Sequence, residues 1–189
     1  MLKLNCFLPR ISLWLQKIRH GKKLRMIGWP FIYRFPNASI EIGDNVIIRS
    51  NFWSNLLGLH QRTIIIAKNN AKIKIGNNVG ISGATIYAWD TIEIGDYSII
   101  GANVKIVDND FHPIFPEDRI EGNYDRVVKK PVKIGKNVFI GMGSYILKGT
   151  QIGDNTVIGA GSVVSGIIPS NVVVAGNPAK VIREIEKGQ

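Results

Sequence analysis

Residues 134–164 read IGKNVF, IGMGSY, ILKGTQ, IGDNTV, IGAGSV and a final V: consecutive hexads that each open on an aliphatic residue, from Ile134 to Val164. Working upstream, the same spacing picks out Ile75, Ile81, Tyr87, Ile94, Ile100 and Ile106. Self-similarity at six residues predicts an all-β solenoid whose sides are one short strand each, three hexads making a triangular turn of roughly 18 residues. The opening residue of each hexad is expected to point inward and stack on its counterpart one turn later. Gly follows it at positions 76, 95, 101, 135, 141, 153 and 159, where a missing Cβ makes unusual φ values cheap. Small or β-branched residues such as Val79, Thr85, Thr91, Ser98, Val138 and Ser162 come four positions on, suited to a crowded interior. Asn and Asp mark the tight turns, as in Gly76-Asn77-Asn78 and Gly153-Asp154-Asn155.

Two breaks disturb the register. One is a single extra residue between Tyr87 and Ile94; the other is an excursion over residues 109–131 that contains His112. An imidazole carried on the one long excursion from a regular scaffold is the natural place to look for chemistry. Upstream, Ile40 to Asn51 begins the repeat less regularly, residues 52–72 blur it, and Thr63 to Ala67 reads as a strand. Downstream, Asn177-Pro178 precedes a short helix expected over 179–189. The chain thus divides into a basic N-terminal segment (1–35), a solenoid (36–178) with an extruded loop (109–131), and a C-terminal helix (179–189).

The formal charge of +10 resembles a nucleic-acid signal until it is mapped. Residues 1–40 carry eight Lys or Arg and no acid, whereas the remaining 149 residues hold 16 basic and 14 acidic side chains. The basicity therefore belongs to an arm, and no nucleic-acid motif accompanies it. In that arm Leu4, Phe7, Leu8, Ile11, Trp14, Leu15 and Ile18 fall at helical spacing. This predicts a short amphipathic helix that covers the open end of the solenoid, with peripheral contact to an anionic membrane through residues 1–25 as its other use. Charges interrupt the apolar run too often for a membrane span, and no small-residue cleavage site suggests secretion. A lone cysteine, Cys6, excludes a disulfide framework and a Cys-rich metal site, as suits a reducing cytoplasm.

The run of I-G-x-x-[STV] hexads, D-N-D-F-H-P at Asp108–Pro113, V-I-G-A-G-S-V-V at Val157–Val164 and A-G-N-P-A-K-V-I at Ala175–Ile182 resemble the hexapeptide-repeat acyltransferases. The likeness is greatest to sugar O-acetyltransferases of maltose, galactoside and polysaccharide type. It implies a left-handed parallel β-helix, an exception to the usual right-handed crossover, and a homotrimer using acetyl-CoA in clefts between subunits, without a metal. His112 matches the family's catalytic base. Ala160 and Ser165 match positions along the pantetheine, Lys180 and Arg183 match positions facing phosphate, and Gly141 and Met142 are counted with them as candidate cofactor contacts. The implied function is acetyl transfer to a saccharide hydroxyl, in surface polysaccharide biosynthesis. Two departures stand out: Ser165-Gly166 replaces a common Thr-Lys, and Ile81-Ser82-Gly83-Ala84 replaces a substrate-binding Asn.

The residues themselves fit that chemistry. A sugar hydroxyl is a poor nucleophile at neutral pH, and imidazole is a suitable base. Asp108 or Asp110 is expected to orient the ring, although a backbone carbonyl would serve. Ser82, in the stretch that replaces the substrate-binding Asn, and Trp89, near the register slip, are candidate acceptor contacts, and a backbone N–H of the Gly141-Met142-Gly143 turn is a candidate oxyanion donor. Lys180 and Arg183, three apart on a helix, would share a face. Competing readings are N-acetylation of a free or nucleotide-linked amino sugar, and a non-catalytic assembly solenoid. A β-helix carbonic anhydrase needs paired imidazoles around zinc, whereas His20, His60 and His112 lie 40 and 52 residues apart.

Overall fold

The computed structural model describes residues 13–186. Within it, three strands complete each turn of the coil. The first turn holds β1 (Arg19–His20), β2 (Arg25–Gly28) and β3 (Phe31–Arg34), and the second β4 (Ser39–Ile42), β5 (Ile47–Ser50) and β6 (Ile64–Ala67). The third holds β7 (Lys72–Ile75), β8 (Gly80–Ser82) and β9 (Thr85–Ala88), and the fourth β10 (Thr91–Ile94), β11 (Ile99–Ile100) and β12 (Lys105–Val107). After the long excursion come β13 (Val132–Ile134), β14 (Phe139–Ile140) and β15 (Tyr145–Ile146), then β16 (Gln151–Ile152), β17 (Val157–Ile158) and β18 (Val163–Val164). A last partial turn has β19 (Ile167–Ile168), β20 (Val172–Gly176) and β21 (Ala179–Glu184).

Each strand from β1 to β17 pairs in parallel with the strand three later, giving three flat sheets. Sheet A runs β1-β4-β7-β10-β13-β16-β19, sheet B runs β2-β5-β8-β11-β14-β17-β20, and sheet C runs β3-β6-β9-β12-β15-β18. The coil is a left-handed parallel β-helix. Its interior is a set of isoleucine columns: Ile42, Ile75, Ile94, Ile134, Ile152 and Ile168 stack along sheet A and are all buried. β-Branched side chains with one favoured χ1 fill such a column without gaps. Each contributes about 1.5–3 kcal/mol of apolar burial.

Several expectations need correction. The coil begins at Arg19, so the predicted start at residue 36 is a full turn late. Met26 and Ile32, six apart and buried, are the signal that marks this turn. Residues 13–15 are helical, but the helix ends before Ile18, which follows a turn and is not helical as expected; Leu4 to Ile11 lie outside the described residues. Tyr87 is not an inward residue: Ile86 takes that place, stacked between Ile65 and Ile106. Ala84, not Thr85, fills the buried slot before it. The segment from Ala179 is an antiparallel strand on β20, not a helix. Residues 187–189 of that expectation are outside the described range.

The glycine after each isoleucine also has a different reason from the one expected. None of these seven glycines has positive φ; that conformation falls two residues later, at Asn78, Tyr97, Asn103, Asn137, Gly143, Asn155 and Gly161. What they allow is close approach of turns: a Cβ on Gly141 would lie 2.5 Å from the backbone N of Ala160.

The three edges between sheets differ in chemistry. At the A/B edge, Asn137 donates to Asn155 Oδ1 at 3.1 Å and Asn155 to Asn171 Oδ1 at 2.9 Å, a structural ladder. The B/C edge is lined by Gly101, Gly141 and Gly159 and carries an insertion after β5. The C/A edge emits the excursion between β12 and β13.

Candidate functional site

The excursion leaves the solenoid through a clasped neck. Lys130 N–H donates to Asp108 O at 2.8 Å and Asp110 N–H to Val128 O at 3.1 Å. Beyond the neck lie helix α1 (Pro116–Glu121) and a 3-10 turn at Tyr124–Arg126. Arg126 pairs with the buried Asp118 at 3.3 Å, and Arg119 donates to Pro113 O at 2.9 Å. These contacts give a surface loop its own fixed shape. Phe111, at φ 60°, packs on Tyr87 and Trp89 with centroids 5.3 and 6.2 Å away, anchoring the residue before His112. The imidazole is exposed and lies 5.8 Å from the Tyr124 ring. Among the described residues neither of its nitrogens has a hydrogen-bond partner. Ile114, Phe115 and Ile120, all exposed, give the loop an apolar outer surface.

Neither aspartate orients the imidazole within this chain. Asp108 is fully buried and accepts from the backbone N–H groups of Trp89 and Asp90, both at 2.7 Å, and from Asn109 Nδ2 at 3.1 Å. It therefore holds the register slip against the loop's neck. Burial pushes its carboxyl above the ordinary value, against the hydrogen bonds that favour the charged form. Asp110 is paired with Lys148 at 2.6 Å. The reason is packing: both carboxylates sit at the neck, where backbone donors and Lys148 reach them first.

On the B/C edge a groove of about 440 Å³ runs over Ile99, Phe139 and Val157 and along the turns at 101–102, 141–142 and 159–160. It brings together Ser82, Gly141, Met142 and Ala160. Gly141 N–H is bonded to Ile158 O at 2.7 Å and Gly143 N–H to Ala102 O at 2.8 Å. The N–H groups of Met142 and Ala160 have no acceptor among the described residues. They are the donors an extended amide-bearing ligand would meet. One turn further on, a Cβ on Gly159 would lie 2.9 Å from that of Ala175, which faces Lys180 across β20–β21.

Lys180 and Arg183 share a face although they lie on a strand. A bulge at Val173/Val174 pairs Val173 with Arg183 and Ala175 with Lys180. Val172 and Val174 point inward, so Val173, Ala175 and both partner cations point out. The extra residue restores the parity that a spacing of three would otherwise break.

Two candidates stand apart from this groove. Ser165 and Trp89 lie on the C/A edge with the His112 loop, where Lys68 Nζ sits 4.5 Å over the Trp89 ring. His112 and the groove therefore occupy opposite edges of sheet C. Gly143 and Lys148 lie five positions apart along the chain, ~16 Å at ~3.3 Å per residue. Sequence reading missed Arg49, Asn55 and Leu57, which also line the groove. The last two belong to the irregular insertion, whose path no period reveals.

A left-handed β-helix of stacked hexads, with an imidazole-bearing loop and a glycine-lined edge, defines a hexapeptide-repeat protein. Comparison with known proteins agrees. The family described as bacterial transferase hexapeptide (six repeats) matches residues 131–166. A Dictyostelium discoideum protein named as an acetyltransferase is 39% identical over 155 residues, 82% of this chain and 80% of its own length. The galactoside O-acetyltransferase of Lactococcus lactis is 37% identical over 147 residues, 77% of this chain but only 63% of that enzyme. A solved galactoside acetyltransferase in complex with coenzyme A is 32% identical, with a TM-score of 0.60 over 94% of this chain and 70% of that one. The chain belongs to the hexapeptide-repeat acyltransferase family.

Proposed function

We propose that the protein transfers an acetyl group from acetyl-CoA to a saccharide hydroxyl, in a site completed between copies of the chain. The observation that carries this reading is the placement of His112 and the groove on opposite edges of sheet C. Three copies packed around a common axis bring the C/A edge of each against the B/C edge of the next, so a homotrimer closes the ring. The likeness to galactoside O-acetyltransferases supports the acyl donor and the saccharide class of acceptor. Surface polysaccharide biosynthesis is the setting we assign. A cytoplasmic location goes with that setting.

In this reading the coenzyme's phosphates meet Lys180 and Arg183, and its extended arm follows the edge past the free N–H of Ala160, which leaves the Met142 N–H for the reacting carbonyl. Ser165 and Trp89 close the cleft from the neighbouring copy. His112 of that copy takes the proton from the acceptor hydroxyl as its oxygen bonds to the thioester carbon. The Met142 N–H stabilises the oxyanion that forms. Collapse breaks the C–S bond, and the imidazolium returns its proton to the leaving thiolate, giving acetyl ester and free coenzyme. A direct transfer of this kind needs no acyl-enzyme and no metal.

The test is His112→Ala, which is expected to lower kcat at least about 100-fold, within the usual range for general-base catalysis, while acetyl-CoA affinity stays the same. Near-normal turnover would remove His112 from the reaction. Mass spectrometry of the product distinguishes ester from amide and so decides between O- and N-acetylation. Co-expression of His112→Ala with Ala160→Trp, which fills the groove, should restore activity in mixed oligomers. Failure to recover would place the whole site in one chain.

A further inference from the structure

The end of the groove nearest the start of the chain is built from groups that no acceptor satisfies. Arg49 points outward from β5 and is paired in register with Ser82 on β8. Beside them stands Asn55, held on the insertion after β5 by its own Oδ1, which accepts from Leu57 N–H at 3.0 Å. The insertion is pinned to the same edge: Asn103 Oδ1 accepts from His60 N–H at 3.2 Å, and Asn103 Nδ2 donates to Gly58 O at 3.3 Å. It is therefore a fixed wall. Among the described residues, the Arg49 guanidinium, the Asn55 Nδ2 group and the Ser82 hydroxyl make no hydrogen bond or ion pair. The groove contains one charged residue, Arg49, and no carboxylate.

A half-buried guanidinium in a groove otherwise lined largely by apolar residues such as Leu57, Ile99 and Met142, with two further donors at the same end, is complementary to an oxyanion. Its planar fork pairs with carboxylate or phosphate in two parallel hydrogen bonds, stronger than those to a neutral hydroxyl. Position separates this cation from those assigned to the coenzyme. Lys180 and Arg183 are on β21, six strand spacings from β5 in sheet B, or ~29 Å at ~4.8 Å per strand. The groove carries no charge but Arg49, and Lys180 and Arg183 lie beyond its lining, so the two cationic positions suit different ligands or the two ends of a reacting pair.

We propose that the acceptor is an acidic saccharide, and that Arg49, with Asn55 and Ser82, binds its carboxylate or phosphate at this end of the groove. The proposal rests on the acyl-transfer reading for the direction in which the coenzyme lies. Arg49 is then a specificity-determining residue: it holds the acceptor's anionic group while a hydroxyl faces the imidazole.

Galactose, galacturonate and galactose 1-phosphate make the test, since they share a ring and differ in charge. With acetyl-CoA and release of free thiol as readout, at least one anionic sugar should exceed galactose in kcat/KM by about tenfold or more, the scale of a charge-assisted contact. Which of the two does so separates a carboxylate from a phosphate acceptor. Arg49→Gln should abolish that advantage through the KM of the anionic sugar, and Arg49→Lys should keep part of it. Equal rates for neutral and charged sugars would overturn the proposal. So would a rise in the KM of acetyl-CoA alone, which would give the guanidinium to the coenzyme's phosphates. Calorimetric titration of the three sugars without acetyl-CoA is independent of any transfer. Anion binding that Arg49→Gln removes supports the site even if no thiol is released, in which case only the transfer reading fails. Circular dichroism melting of both variants checks that they fold.

Discussion

Replacing Asp108 by Ala should destabilise the protein through two backbone donors rather than through a lost charge. Its carboxylate receives the N–H groups of Trp89 and Asp90 at 2.7 Å and Asn109 Nδ2 at 3.1 Å, at a position with no solvent exposure. A methyl group satisfies none of these, and each buried donor left without a partner costs about 1–3 kcal/mol. Relief of the carboxylate's own burial, visible in its raised pKa, offsets part of this. A net loss of about 3 kcal/mol follows, with the Asn109 amide free to turn toward water. For a chain of this size each kcal/mol lowers Tm by about 2–4 °C, so the expected fall is about 6–12 °C. Differential scanning calorimetry of wild type and Asp108→Ala measures it. Asp108→Asn, which keeps one acceptor oxygen but turns an amide N–H2 toward the second donor, should fall between them or match the alanine variant. A Tm for Asp108→Ala within about 2 °C of wild type would refute the reasoning, because orphaned donors cannot be that cheap.

Gly141→Ala should cost about 1–3 kcal/mol as overpacking, since its Cβ would stand 2.5 Å from Ala160 N and 2.8 Å from Ile158 O, both backbone atoms of the next turn. An unchanged urea midpoint would show that the turns can part freely. Lys105, which donates to Thr85 Oγ1 at 3.1 Å, has its pKa lowered from 10.5 by burial. With the folded value below the unfolded one, the cost is fully present where both states are charged and is relieved as pH rises through the folded pKa toward 10.5. Lys105→Met should lack that gain, so the stability advantage of the variant should shrink between about pH 7.5 and pH 10. A constant difference in urea midpoint at the two pH values would contradict it.

The hexads made the solenoid legible because each is a local rule repeated: an inward aliphatic, a residue that lets turns approach, a turn residue. Where the rule is broken by composition rather than by length, the reading slipped. Tyr87 fits the six-residue count, yet a phenol cannot enter a column of buried isoleucines, so the chain shortens one side and stacks Ile86 instead. The first turn was overlooked because charges and aromatics on its outer faces, as at Arg25 and Phe31, hide the inward pair Met26 and Ile32. Helical spacing at Lys180 and Arg183 was equally compatible with a bulged strand, and β20 offered an unpaired edge that a helix would have left open.

By itself the sequence determined the six-residue period, the side chains that fill the core and the one excursion that carries His112, since these depend on neighbours in the chain. Which edge each turn occupies depends instead on the running sum of every insertion and slip before it. Only the tertiary structure therefore decided that His112 and the groove lie on opposite edges of sheet C, that Asp108 serves the backbone rather than the imidazole, and that Arg49 stands beside Ser82. Residues 33 apart in sequence become neighbours there, because the coil closes after the insertion and not before it.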